Sequence, residues 1–145
     1  MVRRIAWASA IAGSVILAAL TAALFSSGSH IRIPAITGLV TFCAIVLSYL
    51  GGIESGLALR GDTGSEATRA AALVLGIVPS LAAWGVLWLP SPHWQVGASL
   101  ALFVAVWAAE LWLARHGLVP AWFVDMRTAV TAAAVAILAL AWWLL

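Results

Sequence analysis

Long apolar stretches alternate with short polar breaks along the whole chain. A membrane-spanning helix needs about 20 mostly apolar residues, and the runs that reach this length predict five helices. These cover residues 5–25, 33–59, 67–89, 94–113 and 121–145. Pro and Gly mark the breaks, as expected at helix ends. The pattern predicts an all-α integral membrane protein, with residues 1–145 forming a single domain that is a compact bundle of five transmembrane helices.

The composition favours a membrane protein over a soluble one. Hydrophobic residues make up 65% of the chain and charged residues 8%, whereas soluble domains carry about 25% charged residues. A bilayer solvates the apolar outer faces that a soluble fold of this length could not cover. Arg3 and Arg4 precede the first apolar run as in a signal peptide, but the run exceeds the roughly 7–15 apolar residues of such a signal. We therefore expect it to be retained as a helix.

Arginines lie mostly at one end of the predicted bundle. Successive helices alternate in direction, so the N-terminus and the second and fourth connections share one side. Six of the seven basic residues fall there, namely Arg3, Arg4, Arg60, Arg69, Arg115 and Arg127, against Arg32 on the other side. Cytoplasmic ends collect basic residues, which predicts a cytoplasmic N-terminus and an extracytoplasmic C-terminus. The Ala-rich, lysine-free composition suggests a multi-pass protein of a bacterial plasma (inner) membrane.

Tryptophans form two predicted belts, as amphipathic indoles do at membrane interfaces. The chain is tryptophan-rich, with nine, and Trp84 and Trp107 fall between the belts. Pro79 removes a backbone donor in the third helix and predicts a kink there. The residues that could shape a pocket or pack at this kink and at mid-depth are Pro79, Ser80, Trp84, Trp107 and Trp122.

Small residues predict where helices approach closely. Membrane helices associate through backbone contact at small side chains, and the second helix carries Gly51, Gly52 and Gly56. These glycines are expected to pack within the bundle or, alternatively, against a partner protein.

Ionisable residues inside a membrane are the first place to look for function. Glu54 lies six residues before Arg60, about 9 Å inward at 1.5 Å per residue. The predicted helices bring five such residues to one layer: Glu54, Arg69, Glu110, Asp125 and Arg127. Three interpretations stay open. The layer is an interhelical ion-pair network that fixes the bundle, it lines a polar cavity for a headgroup, a quinone head or a proton, or its side chains extend to the membrane interface.

Signs of catalysis or of a cofactor are lacking in the sequence. There is no catalytic triad pattern, HExxH motif or phosphate-binding glycine loop, and the three histidines lie in or beside the predicted loops. Cys43 is the single cysteine and predicts a buried apolar packing residue. No basic run suggests nucleic-acid binding. We therefore predict a protein that is not an enzyme, with no catalytic residues, no metal and no cofactor.

Four ordered motifs resemble one known family. Residues 47–59 contain Leu-Gly-Gly-x-x-x-Gly, residues 79–84 read Pro-Ser-Leu-x-x-Trp, residues 117–123 contain Gly-x-x-Pro-x-Trp-Phe, and residues 126–131 are similar to Leu-Arg-x-x-Leu-Thr. Together they resemble the membrane family catalogued as domain of unknown function 3429, which includes a transmembrane-protein-69 group, over about residues 38–143. Relatives often place His or Arg and then Trp where this chain has Glu54 and Ser55. The resemblance implies a small multi-spanning membrane protein and no specific activity.

Two functions remain open from the sequence. The small-residue rows without a catalytic set favour a non-enzymatic accessory or assembly factor of a larger membrane complex, for example a respiratory one. The alternative is a binding protein or small transporter for a lipid, quinone or other apolar ligand. The expected partners are the lipid bilayer and a membrane complex or a second copy of the chain. The tryptophan-rich sensory/translocator family is similar in size and tryptophan content, but its aromatic-proline signature is absent here.

Overall fold

The computed structural model describes residues 1–26, 28–60 and 64–145. In these ranges the chain forms five α-helices, each long and apolar enough to cross a membrane. They are α1 (Val2–Ala23), α2 (Ser29–Leu59), α3 (Glu66–Val86), α4 (Pro92–Arg115) and α5 (Ala121–Leu144). The predicted all-α class and the number of spanning segments are confirmed for these ranges, and the chain is a multi-pass membrane protein.

Helix ends differ from the predicted ones by a few residues, for local reasons. α2 begins one turn early, at Ser29, after Gly28 in an extended conformation at its N-cap, and it contains Pro34 as its sixth residue. α3 ends at Val86, since the amides of Leu87 and Leu89 donate to carbonyls three residues before them and form a tight turn. α4 begins at Pro92, where the hydroxyl of Ser91 accepts from the Trp94 amide at 3.4 Å.

The helices follow one another around the bundle. α2 contacts α1, α3 and α4, while α5 contacts α4 and α1, so that α1 closes the circle. α2 and α3 share the most extensive contact. Leu39 and Leu47 of α2 and Leu138 of α5 are fully buried in the main core. The bundle thus has a tightly packed part formed by α2, α3 and α4, and a part bounded by α1, α2, α4 and α5.

Glycines permit the close crossing of α2 and α3. A Cβ on Gly51 would overlap the carbonyl oxygen of Gly76 and lie 2.9 Å from the Ser80 hydroxyl. Gly52 and Gly56, expected in the same packing, lie exposed, and a Cβ on either would meet nothing within 4 Å. Successive residues of a helix point about 100° apart. Only one of the two glycine rows can therefore face α3.

The connection from α4 to α5 is a Schellman turn. Leu118 donates its amide to the Leu113 carbonyl at 3.1 Å, and Gly117 donates to the Ala114 carbonyl at 3.0 Å. Gly117 has φ of 79°, which glycine adopts without the penalty that a Cβ brings. Leu113 and Leu118 are buried in one apolar cluster. This turn fixes where the start of α5 lies against the end of α4.

Candidate functional site

The centre of the polar layer is an ion pair between α4 and α5. The Nε–H of Arg127 is shared by both oxygens of Glu110, at 2.8 and 2.9 Å. Both residues are buried, with 5% and 3% of their surface exposed. Charge-assisted hydrogen bonds of this kind are stronger than neutral ones. The pair therefore joins the two helices at a point where water does not compete.

The ion pair uses only part of the hydrogen-bonding capacity of Arg127. Its Nη2 is buried without a hydrogen-bond partner in the described residues, and so is the hydroxyl of Thr131, one turn further along α5. A buried polar group without a partner costs about 1–3 kcal/mol. Such groups call for an explanation in a native structure.

Glu54 of α2 completes the layer. It has 1% of its surface exposed, and neither carboxyl oxygen has a hydrogen-bond partner among the residues described. Glu110 and Arg127 are close enough to act on it electrostatically. The layer thus contains two buried carboxyl groups and one guanidinium group.

A cavity of about 190 Å³ lies beside this layer. It is bounded by α1, α2 and α5, with Phe103 of α4 also in its wall. Its lining is mainly apolar and aromatic, and Arg127 and Thr131 belong to it. The residues that define its three main walls are Ala6, Ser9, Ala10 and Gly13 on α1; Phe42, Tyr49 and Ile53 on α2; and Phe123, Met126, Arg127, Val130 and Thr131 on α5.

Small side chains on α1 explain why the space is open. Ala6, Ala10 and Gly13 recur at helical spacing on the face that lines the cavity. A Cβ on Gly13 would meet nothing nearer than the Phe42 ring, at 4.0 Å. α1 therefore contacts α2 and α5 but does not fill the space between them.

The cavity is elongated and open on one side. Its lining on α5 extends from Phe123 to Ala134, which is about 16 Å at 1.5 Å per residue and about half of the ~30 Å hydrocarbon thickness. Ser9 of α1 and Tyr49 of α2 line it and are also exposed on the outside of the bundle. The cavity therefore reaches the outer surface of the bundle between α1 and α2.

Other members of the predicted layer lie elsewhere. Arg69 is half-buried in the first turns of α3, and Asp125 is exposed on α5. The structure thus brings together Glu110 and Arg127 with Glu54 nearby, and it places Asp125 outside this group. Asp125 and Arg127 are two residues apart, so on a helix they project in different directions.

The residues predicted to shape a pocket or to pack at mid-depth do not line the cavity, and each has another environment. Trp84 is 62% exposed, and its ring packs edge-on against the Trp88 ring, with the two ring centroids 5.7 Å apart. Trp107 donates its indole N–H to the Thr128 hydroxyl at 3.0 Å. Trp122 contacts Phe123, Pro79 is buried in α3, and Ser80 donates to the Gly76 carbonyl at 3.3 Å.

Sequence reasoning missed α1 and Thr131 as parts of the site. A signal for the α1 wall was present, since Ala6, Ala10 and Gly13 are small residues on one helical face. Thr131 carries no such signal, because threonines often bond to their own helix backbone.

Within the described ranges, no group of three His, Cys, Asp or Glu side chains could hold a metal ion. The polar groups in the lining are the Arg127 guanidinium and the hydroxyls of Thr131, Tyr49, Ser9 and Ser14, of which the two serine hydroxyls donate to carbonyls of α1.

Comparison with known proteins gives a family and no activity. A family model described as a protein of unknown function, DUF3429, matches residues 2–143. The match includes α1, beyond the region covered by the motifs. Neither the curated proteins nor the solved structures gave a match.

Proposed function

Because the chain belongs to the DUF3429 family of proteins of unknown function, we propose its function from the geometry of the cavity. We propose a non-enzymatic membrane protein that binds, or carries across a short distance, an apolar ligand with a hydrogen-bond-accepting head. One observation carries this proposal. The Arg127 Nη2 and the Thr131 hydroxyl are both buried without hydrogen-bond partners among the described residues, and both residues line the same apolar cavity.

Because Glu110 already balances the charge of Arg127, a carbonyl head, or a carboxyl head bound as the neutral acid, would complete this pair of groups. Both can donate a hydrogen bond, and arginine is well suited to carboxylate and carbonyl oxygens. The apolar body of the ligand would lie among Phe42, Phe103 and Phe123. A ligand of this kind gains affinity from the donors and from the burial of its apolar surface.

The size of the cavity restricts the ligand. An apolar cavity of about 150 Å³ is large enough for benzene, and this one is about 190 Å³. A single ring system or one alkyl chain fits, whereas a whole phospholipid does not. Because the cavity reaches the outer surface of the bundle between α1 and α2, we propose that the ligand enters from the membrane. The cavity volume therefore restricts the ligand to a molecule with a fatty-acid-like or quinone-like head and one apolar segment.

Matched probe pairs test this proposal. We expect the detergent-solubilised protein to be stabilised against heat by decanoate or by menadione. Decane and 2-methylnaphthalene, which have similar apolar bodies without acceptor oxygens, should stabilise it much less. Stabilisation by decanoate alone would indicate a fatty-acid ligand, and stabilisation by menadione alone a quinone-like one. Equal effects of each acceptor and its hydrocarbon partner would contradict the role of Arg127 and Thr131.

A cavity-filling variant locates the binding. Ala10→Leu places a larger side chain in the α1 wall. It should lower the apparent affinity for the probe at least about tenfold, which is equivalent to about 1.4 kcal/mol of binding free energy. Ala8→Leu is the matched control, because Ala8 is exposed on the same helix and is not part of the lining. Equal binding by the two variants would show that the probe binds elsewhere.

The second candidate is the accessory or assembly role in a larger membrane complex. It is supported by a row of small residues on the outer face of α2. Ser48, Gly52 and Gly56 are exposed at four-residue spacing, and a Cβ on either glycine meets nothing within 4 Å. Such a face suits close contact with a helix of another protein.

A double substitution tests this candidate. The substitutions Gly52→Leu and Gly56→Leu, made together, should remove a stoichiometric partner that co-purifies in mild detergent, and the bundle should remain folded. A monodisperse particle of this chain alone from the unmodified protein would contradict the role.

The membrane orientation is also a proposal. The arginine distribution supports a cytoplasmic N-terminus in a bacterial plasma membrane. We expect a reporter fused to the C-terminus to be active on the extracytoplasmic side. Activity on the cytoplasmic side would overturn the orientation.

A further inference from the structure

We propose that Glu54, Glu110 and Arg127 form a binding site for one proton inside the membrane, and that Glu54 carries it. This inference does not depend on a ligand in the cavity. It concerns a residue that does not line the cavity and that the binding role does not use. It rests on the net charge of these three side chains and on which of the two carboxyl groups accepts hydrogen bonds from Arg127.

The charges of the layer do not balance when all three groups are ionised. Two carboxylates and one guanidinium leave one net negative charge. Each ion removed from water costs several kcal/mol unless it is paired. One proton on one of the two acids makes the layer neutral.

The hydrogen bonds decide which acid is neutral. Both oxygens of Glu110 accept from the Arg127 Nε, so Glu110 is stabilised as a carboxylate. Neither oxygen of Glu54 has a donor within the described structure, and the residue is 1% exposed. A buried acid without a partner takes up a proton rather than remain charged. The proton therefore belongs on Glu54.

Among the residues described, the charged groups that act on Glu54 come from two neighbouring helices. Glu110 of α4 and Arg127 of α5 are the groups that act on it. The other charged side chains on the neighbouring helices lie elsewhere: Arg3 and Arg4 on α1, Glu66 on α3, Arg115 on α4 and Asp125 on α5 are exposed, and Arg69 on α3 is half-buried. The cation that acts on Glu54 is therefore Arg127, and Arg127 is already paired with Glu110.

The proton step itself is simple. The Glu54 carboxylate takes a proton from the aqueous phase and becomes a neutral carboxyl group, and it returns the proton when the pH rises. The ionised form of Glu54 acts on the same guanidinium group that Glu110 engages, and the Nη2 of Arg127 has no hydrogen-bond partner in the part of the chain that the structure describes. Because Arg127 also lines the cavity, loss of the proton changes the charge balance at the cavity wall. The site thus couples the cavity to pH.

Infrared spectroscopy of the full chain tests the proton. We expect a carbonyl stretching band of a protonated carboxyl group at neutral pH, shifted by deuterium exchange and by ¹³C labelling of glutamate. The band should be absent from Glu54→Gln, which has the shape of the protonated side chain, and retained in the control Glu66→Gln, since Glu66 is exposed. Absence of the band at neutral pH, or its persistence in Glu54→Gln, would overturn the proposal.

A second measurement uses the unmodified protein and does not require the variant to fold. If the folded protein holds this proton and the unfolded chain does not, raising the pH should weaken the folded state. We expect the glutamate band to disappear reversibly as the pH is raised, together with a fall in the unfolding temperature. A band that stays unchanged, or an unfolding temperature that rises over the same range, would contradict the site. Failure of the probe-binding experiment would leave both measurements valid.

Discussion

Glu110 and Arg127 lie 17 residues apart in the chain and meet through one N–H that both carboxylate oxygens share, at 2.8 and 2.9 Å. The contact joins the end of α4 to the start of α5 across the Schellman turn at Gly117. It fixes the register of two helices and at the same time places a partly satisfied guanidinium beside the cavity. The structural role of Arg127 and its proposed role in binding therefore meet in one residue.

Arg127→Met should destabilise the protein strongly. The substitution leaves the Glu110 carboxylate buried without its partner, and breaking such a pair costs about 3–5 kcal/mol. Lowering the pH should reduce this loss, because protonation of Glu110 removes the unpaired charge. The measurement is the free energy of unfolding in detergent micelles.

A double variant separates the pair from its single charges. Replacing both partners by apolar side chains, as in Glu110→Leu with Arg127→Met, should recover most of the stability that Arg127→Met loses. Asp125→Ala is the control, since an exposed acid on the same helix should change stability by less than about 0.5 kcal/mol. A double variant as unstable as the single one would mean that packing, rather than charge, determines the loss.

Gly51→Ala should separate α2 from α3. Its Cβ would overlap the Gly76 carbonyl, and backbone atoms cannot move aside as a flexible side chain can. Overpacking of this kind typically costs about 1–3 kcal/mol. Gly52→Ala, one residue later in open space, should be neutral or slightly stabilising by the ordinary helix preference for alanine. The two unfolding free energies, compared under the same conditions, check the assignment of the crossing face.

Gly117→Ala tests the turn that aligns the ion pair. There is room for a Cβ at this position, but its φ of 79° is strained for any residue with a side chain. The left-handed conformation costs about 1–2 kcal/mol for such residues. Gly85→Ala, in open space on α3, is the control and should not be destabilising. If both variants unfold alike, the turn does not hold the start of α5 in place.

The helices could be predicted because membranes require long apolar segments whatever their packing. α2 begins among polar residues at Ser29, and α3 ends before a turn at Leu87. Hydropathy does not register either boundary. The sequence also placed Glu54, Glu110 and Arg127 in one layer from depth alone. It could not exclude Asp125 or reveal that Gly51 rather than Gly52 faces α3, because both depend on the rotation of a helix about its axis. Hydrophobic periodicity fixes that rotation in soluble bundles, but here the lipid-facing side is apolar as well.

The cavity could not be predicted because it arises where side chains are too small to meet. Trp84 and Pro79 suggested a pocket from their mid-membrane depth, yet Trp84 lies exposed on the outer face of α3. The wall that leaves the space is formed by residues such as Ala10 and Gly13 on α1. Whether such residues produce close contact or a void depends on the opposite surface. That surface is contributed by α2 and α5, which are distant in sequence.

Thr131→Val should have opposite effects on stability and on binding. The buried hydroxyl has no partner, so replacing it by a methyl group should leave stability unchanged or raise it by up to about 1 kcal/mol. The same change removes a donor for the ligand head and should weaken decanoate or menadione binding about fivefold to tenfold, equivalent to roughly 1–1.4 kcal/mol. Thr21→Val is the matched control, because the Thr21 hydroxyl is likewise buried without a partner but lies outside the cavity lining. Thr21→Val should therefore change stability in the same direction without affecting the binding of the probe. Weakened binding in both variants would show that the loss reflects the bundle as a whole, and unchanged binding in both would remove Thr131 from the site.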